Sequence, residues 1–254
     1  MVKLAEVSWT EAQRIRGDVD TVILPVGSTE QHGPHCPLGT DYITAEAVAS
    51  AVGERTNLPV LPVVPVGVSS NHRQFPGTLW APPKIFREYI KAIIFSASSH
   101  GPKKFIVING HGGNTASLRE VAEELRSNED IFVAIANAYP TNLDGHAGED
   151  ETSIMLHLRP ELIKMEKAVD TKQKETLAGI KMKAQRVGPA DFGLDTIDLS
   201  PTGVFGAAGK NIEAIKATAI HGEQIVRTQI DELCAFAEEL KTTRLGDLLP
   251  KPHK

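Results

Sequence analysis

Between Gly27 and Asp41 the chain reads Gly-Ser-Thr-Glu30-Gln-His32-Gly-Pro-His35-Cys36-Pro-Leu-Gly-Thr-Asp41. A glutamate, a histidine and an aspartate thus share one loop rich in glycine and proline. His111 stands in a second loop, Asn109-Gly-His-Gly-Gly-Asn114, and a third carries His146-Ala-Gly-Glu149-Asp150-Glu151. Carboxylate with imidazole is a hard-to-borderline ligand set that suits zinc, manganese or iron. Residues two apart on an extended segment point the same way, so Glu30 and His32 could face one cavity. Each residue alone also has a plainer explanation. Glu30 and His32 could be a surface pair, Asp41 a helix N-cap, and His111 an ordinary loop residue. The glycines on both sides of His111 favour a sharp turn with room for a ligand. Gly112-Gly113-Asn114 before a helix could instead hold an anion, although the spacing of a nucleotide-binding P-loop is missing.

Three strands must deliver these loops. Thr21 to Val26, Lys104 to Asn109 and Ile131 to Ala136 are short, apolar and rich in β-branched residues, and read as buried strands. Pro59 to Val66 reads as a fourth. Helical spacing of apolar residues predicts helices over Asp41–Glu54, from Pro82-Pro83 through Ile94, over Thr115–Arg126, over Glu151–Leu158, and over a long amphipathic Asn211–Leu240. Strands alternating with helices imply βαβ units and a mainly parallel sheet. Ligands of such sheets bind beyond the carboxyl ends of the strands, where all three loops emerge. Asp170 to Gly209, rich in Lys, Gly, Asp and Pro, shows no clear period and predicts an excursion over the site or an oligomer contact. No repeat or linker divides the 254 residues, so a single domain over 1–254 is expected.

Composition narrows the function. Twenty-seven lysines and arginines against 32 acidic residues give a formal net charge of −5, which argues against general nucleic-acid binding. Two cysteines, Cys36 and Cys234, make no disulfide framework, and a reducing, cytoplasmic setting is expected. No window approaches the ~18 apolar residues of a membrane span, and Met1–Thr10 has no signal-peptide stretch.

The segments Gly27–His35, Leu38-Gly-Thr-Asp41, Phe75-Pro-Gly-Thr78, Asn109–Asn114 and His146-Ala-Gly-x-x-Glu-Thr-Ser153 resemble the creatininase (creatinine amidohydrolase) family. Gly203-Val-Phe-Gly206 resembles a further family segment. The resemblance runs in order from about residue 22 to 225. It implies a three-layer α/β/α sandwich, a metal-dependent hydrolase of cyclic amides and related C–N bonds, and a homo-oligomer, often a hexamer. By position, Glu30 and His32 would bind different metals of a pair, Asp41 would bridge them, and His111 would join the metal of Glu30. His146 would be the acid/base residue. Creatininase proper also ligates through a glutamate two residues after the second histidine, where this chain has Gly113. Glu151 is the natural replacement. Relatives with the His-Gly-Gly-Asn form resemble deformylases of pyrimidine intermediates or peptide-trimming enzymes.

Two dications, zinc, manganese or iron, would lower the pKa of bound water toward ~7. An imidazole can move the proton to the amine leaving group, the role expected of His146, with Glu151 as ligand or auxiliary base. Glu149 and Asp150 read as a solvated helix-start pair or as catalytic acids. Cys36 is a ligand, a nucleophile or inert packing. A small-molecule substrate is expected along Gly112, Gly113 and Asn114, along Ser69–Arg73 with His72, and against Trp80 or Phe75; a plain surface loop and a core role are the alternatives for the last two groups. His100, His157, His221 and His253 read as surface or core residues. A different class stays open, a non-catalytic nucleotide- or sugar-phosphate-binding module. Convergence of Glu30, His32, Asp41 and His111 separates the two.

Overall fold

The computed structural model describes residues 2–15, 19–140, 143–183, 186–187, 190–191, 193–206 and 211–249. His253 and parts of the predicted excursion (184–185, 188–189, 192 and 207–210) lie outside them. The central sheet has five strands, β1 (Val2–Lys3), β2 (Thr21–Val26), β3 (Pro59–Val60), β4 (Lys104–Asn109) and β5 (Phe132–Asn137), in the order β1-β3-β2-β4-β5. Every neighbouring pair is parallel. The helices around it are α1 (Trp9–Ile15), α2 (Thr40–Thr56), α3 (Pro83–Ser98), α4 (Thr115–Asn128), α5 (Glu149–Leu158), α6 (Thr196–Leu199), α7 (Ala219–Thr242) and α8 (Leu245–Leu248).

Side chains of β2 and β4 alternate between two cores, as period two requires. Ile23, Ile106 and Ile108 pack with Ala45, Val48 and Val52 of α2 and with Val226 and Leu233 of α7. Val22, Leu24, Phe105 and Val107 pack with Phe86 and Ile90 of α3 and with Leu118 and Leu125 of α4. Helices therefore cover both faces, and the molecule is the expected three-layer α/β/α sandwich. Because α2 leads from β2 to β3 and α3 returns to β4 on the other side of β2, the strand order reverses between β2 and β4. That is the switch point at which open α/β sheets leave a crevice.

Lys104 is a charged residue on a fully buried strand. Its Nζ donates to the carbonyls of Leu240 (2.7 Å) and Thr243 (2.9 Å) and pairs with Asp20 (2.9 Å). The ammonium thus occupies the C-terminus of α7, where a cation meets the unsatisfied carbonyls and the negative end of the dipole.

Three sequence expectations change. The strand predicted over Pro59–Val66 is hydrogen-bonded as a strand only at Pro59–Val60, with one further bridge from Val64 to Val26. Pro62 and Pro65 lack the N–H that a ladder needs. The helix predicted over Asn211–Leu240 starts at Ala219. Thr218 caps it by accepting from the His221 N–H, and Asn211–Glu213 is instead a strand antiparallel to Asp170–Lys172. The loop predicted over Tyr139–Gly148 contains a two-residue strand, β6 (Gly145–His146), paired with Phe205-Gly206. Through this pair the excursion after residue 170 folds back over the carboxyl end of the sheet.

Candidate metal centre

The loops after β2, β4 and β5 meet at one point. Glu30, His32, Asp41, His111 and Glu151 all lie there, and none is more than 6% exposed. Asp41 is the second residue of α2. The capping position belongs to Gly39, which makes no side-chain cap bond, so the N-cap explanation of Asp41 does not hold. Its carboxylate divides between two histidines instead. Oδ1 is 3.1 Å from His32 Nε2 and Oδ2 is 3.1 Å from His111 Nδ1. Glu30 Oε2 is 3.2 Å from His111 Nδ1, and Glu151 Oε2 is 3.7 Å from His32 Nε2. Two ligand groups result, Glu30–Asp41–His111 and His32–Asp41–Glu151, and within each the offered atoms lie within 4.8 Å of one another. Glu30, His32 and His146 form a third such group.

The ring orientations decide whether a cation fits. His111 Nε2 is 3.0 Å from the Val68 carbonyl and donates to it, which leaves Nδ1 with a lone pair. That lone pair faces two carboxylate oxygens. His32 Nδ1 is 3.2 Å from the Glu30 carbonyl and donates there, so its Nε2 lone pair also faces carboxylates. Ring nitrogens anchored to carbonyls on one side and aimed at carboxylates on the other are the arrangement of metal-ligating histidines. Glu30 Oε2, His32 Nε2 and Asp41 Oδ2 are buried and make no hydrogen bond. Such atoms are costly unless a cation or a proton lies among them. The residues present therefore fit a divalent ion.

Without the ion, protons take its place. Burial lowers the basicity of His32, but Asp41, Glu151 and Glu30 outweigh it and push the imidazole up to about 10. His111 is likewise raised well above its ordinary value, with Glu30 and Asp41 overcoming burial. Burial would raise Asp41, but His32 and His111 hold it below the usual carboxylate range. Glu151 is pushed up to about 7, chiefly by burial.

His146 and His72 flank the cluster. His146 Nδ1 is 4.0 Å from Glu151 Oε2, and its ring stacks on Phe205 with centroids 5.0 Å apart. Burial, then the neighbouring His32 and His72, keep it well below the usual histidine value. His72 is buried, with Nε2 3.4 Å from Glu30 Oε1 and Nδ1 3.0 Å from the Thr196 hydroxyl. Arg73 pairs with Asp195 beside it, so the loop at Ser69–Arg73 is tied to the excursion. Gly112 and Gly113 are exposed at the rim next to His111. A Cβ on Gly113 would run into the Val68 carbonyl and His111 Nε2, so this backbone has no room for the glutamate of creatininase proper.

Asn114 is a correction. It is wholly buried, with Nδ2 donating to the Gly27 and Asn109 oxygens (3.0 and 3.2 Å) and Oδ1 accepting from the Val68 N–H (2.8 Å). Its amide clamps three loops together and is not free for a substrate. Trp80 is 43% exposed, on a segment that Leu79 fastens to the Thr29 carbonyl (2.9 Å). Asp150 pairs with His221 at 2.7 Å, and Asp144 accepts from the Glu149 N–H at 2.9 Å. Both fix the start of α5, which gives the Asp150 carboxylate a structural role. The Cys36 thiol lies 3.7 Å from the Thr152 hydroxyl, and burial raises it to about 12, as inert packing requires. Gln31 was not singled out from the sequence, yet its amide lies between His72 and His146 (2.8 and 2.9 Å). A glutamine inside a ligand motif gives little signal of its own, because it does not titrate and its amide is not a usual ligand of zinc, manganese or iron.

A mainly parallel α/β sandwich with this buried carboxylate–imidazole cluster at its switch point carries a candidate site for divalent metal ions. The sequence model of the creatininase family, described as creatinine amidohydrolase, matches residues 5–237. The chain belongs to that family, whose members are hydrolases acting on C–N bonds. It is 29% identical over 241 residues to the mycofactocin precursor peptide peptidase of Mycobacterium ulcerans, covering 90% of this chain and 89% of that protein. It is also 29% identical over 198 residues to the creatinine amidohydrolase of Pseudomonas putida, covering 66% and 76%. A solved structure titled "Creatininase Mn" superposes with a TM-score of 0.77 at 25% identity, over 95% of this chain and 99% of that one. With the ligand groups above, that likeness supports divalent metal binding. Among the described residues, no helix is long and apolar enough to cross a membrane.

Proposed function

We propose that this protein hydrolyses the C–N bond of a small amide, a cyclic amide or formamide-type molecule, with two divalent transition-metal ions. Glu30, His111 and one oxygen of Asp41 would hold the first. His32, Glu151 and the other oxygen of Asp41 would hold the second. Zinc, manganese and iron all suit these donors. The observation that carries the reading is the pair of histidine lone pairs, each anchored from behind by a backbone carbonyl and aimed at carboxylates. Bound there, such ions supply Lewis acidity and bring the pKa of water toward ~7.

The chain's own residues supply the rest. His146, neutral and stacked on Phe205, presents Nδ1 to the cluster, accepts a proton from the attacking water and delivers it to the departing amine. Glu151 would hold its metal and orient that water. Gly112 and Gly113 leave the rim beside His111 open for the substrate, while His72, behind Glu30, fixes that carboxylate.

A second reading within the family, a peptide-trimming hydrolase, is favoured by the similarity to a precursor-peptide peptidase over nearly the whole of both chains. One experiment separates the readings: metal analysis of the purified protein, then turnover on creatinine, a formamidopyrimidine and short peptides, before and after chelation. Turnover of creatinine or a formamide supports the first reading and turnover of peptides alone the second. Full activity after exhaustive chelation, with no metal bound, overturns both.

A further inference from the structure

We propose that Gln31 is a positioning residue that sets the tautomers of both histidines flanking the metal cluster, holding His72 and His146 with the proton on Nε2. The inference rests on the proposed metallohydrolase reading and follows from the hydrogen-bond inventory of one residue, whose side-chain amide acts on His72 and whose backbone carbonyl acts on His146.

The orientation of the Gln31 amide is fixed by two backbone groups. The Gly33 N–H donates to Oε1 at 3.0 Å, and the Gly203 carbonyl lies 3.1 Å from Nε2. An N–H can meet only the oxygen and a carbonyl only the nitrogen, so a flipped amide would break both contacts. The fit is close. Gly203 has φ +81°, and a Cβ there would overlap the Gln31 amide. The Gly203-Val-Phe-Gly206 segment therefore returns across the chain to clasp this glutamine.

The proton count follows. Gln31 Nε2 carries two hydrogens, and the Gly203 carbonyl takes one. His146 Nε2 is 2.8 Å from the Gln31 backbone carbonyl, an acceptor only, so His146 donates from Nε2 and cannot also accept there. Its 2.9 Å approach to Gln31 Nε2 is then packing, not a hydrogen bond. The second amide hydrogen goes to His72 Nδ1 at 2.8 Å; the Thr196 hydroxyl, 3.0 Å from the same nitrogen, can donate or accept and so follows the tautomer that the amide, a donor only, imposes. His72 Nδ1 being an acceptor, its proton sits on Nε2, the nitrogen that lies 3.4 Å from Glu30 Oε1. The consequences fall on the two sides of the site. His146 Nδ1 is left with a lone pair toward Glu151, as a proton acceptor must be. Glu30 Oε1 faces the N–H side of His72, and Oε2 faces His111. Buried partners that orient ligands in this way are typically worth 10–100-fold in metal affinity or activity.

Two-bond 1H–15N spectra of protein labelled with 15N-histidine, metal-free and zinc-loaded, read tautomers directly. His72 and His146 are identified by the signals lost in His72→Gln and His146→Gln. The wild type should show Nε2–H for both. Gln31→Glu, which replaces the donor by an acceptor, should move the His72 proton onto Nδ1. Gln31→Leu should leave His72 a mixture. With zinc content at the wild-type level, both variants should lose roughly 10–100-fold in kcat with KM changed less than about threefold. An Nδ1–H signal from either histidine in the wild type overturns the proposal even if neither variant folds. An unchanged His72 tautomer and an unchanged kcat in loaded, folded variants overturn it as well, whereas His146, held by the backbone carbonyl, should keep its proton on Nε2 in both. Absence of metal and turnover in the wild type would instead strike at the metallohydrolase reading and leave the tautomer assignment standing on the spectra.

Discussion

Metal titrated into the metal-free protein should displace at least one proton for each ion bound, and affinity should weaken as pH falls. A histidine ligates only when neutral. In the metal-free chain, Asp41, Glu151 and Glu30 override burial and hold His32 at about 10, while Glu30 and Asp41 hold His111 well above its ordinary value. Both rings are therefore charged near neutral pH, and each ion must expel one proton from its own histidine. Asp41, held low by His32 and His111 against the effect of burial, has none to give. One proton per ion makes the apparent affinity fall tenfold per pH unit. Lowering the pH from 8 to 6 should thus weaken each site at least ~100-fold, or ~2.7 kcal/mol. Glu151, raised by burial to about 7, adds a second proton to its own ion below about that pH, so one of the two sites should steepen there while the other does not. Calorimetric titration of zinc in two buffers with different ionisation heats counts these protons directly. Release close to zero for both ions at pH 7 would refute the reasoning, because His32 and His111 would then be either neutral beforehand or not ligands.

Three other outcomes are expected. Asp41→Ala removes an oxygen from each ligand group, so metal content and activity should fall together, whereas His146→Ala should keep its metal and lose ~10²–10⁴-fold in kcat; elemental analysis beside steady-state kinetics separates the two, and loss of metal in His146→Ala would make that residue a ligand. Lys104→Met strands the Leu240 and Thr243 carbonyls at the end of α7 and should cost about 2–3 kcal/mol in urea unfolding, with the metal site intact at low denaturant. We propose a homo-oligomer, a hexamer, as the resemblance to the family implies, and light scattering that finds only monomer at micromolar concentration would contradict it.

The convergence of the candidate ligand residues was legible in the sequence because two independent patterns coincided on them. Val22 to Val26 and Phe105 to Ile108 are apolar on both faces, as strands covered by helices on each side must be, and this located the carboxyl ends of the strands before any contact was known. Glu30, His32 and His111 then stood where a parallel sheet opens. What escaped was fixed by distant chain. Asn114 looked like an anion or substrate contact because it opens a helix after glycines, but its amide is taken up by Gly27, Val68 and Asn109, and Val68 lies 46 residues away. Ile212 and Ile215 fit the helical phase of α7, yet Ile212 packs against Ala147 and Val204 from a strand, and only the cap at Thr218 marks where the helix starts. Gln31 is the extreme case. Its importance comes from Gly203, 172 residues later, in a stretch whose glycines and charges carry no period for a sequence reading to follow. That stretch also brings Thr196 to His72 and Phe205 to His146. The candidate metal ligands therefore come from loops and helices that follow the regular sheet strands, while Gln31, itself on one of those loops, and the rings of His72 and His146 are packed from the other side by Gly203, Thr196 and Phe205 of the irregular excursion. On this division, substitutions within the excursion should alter turnover and substrate choice while leaving metal affinity nearly untouched.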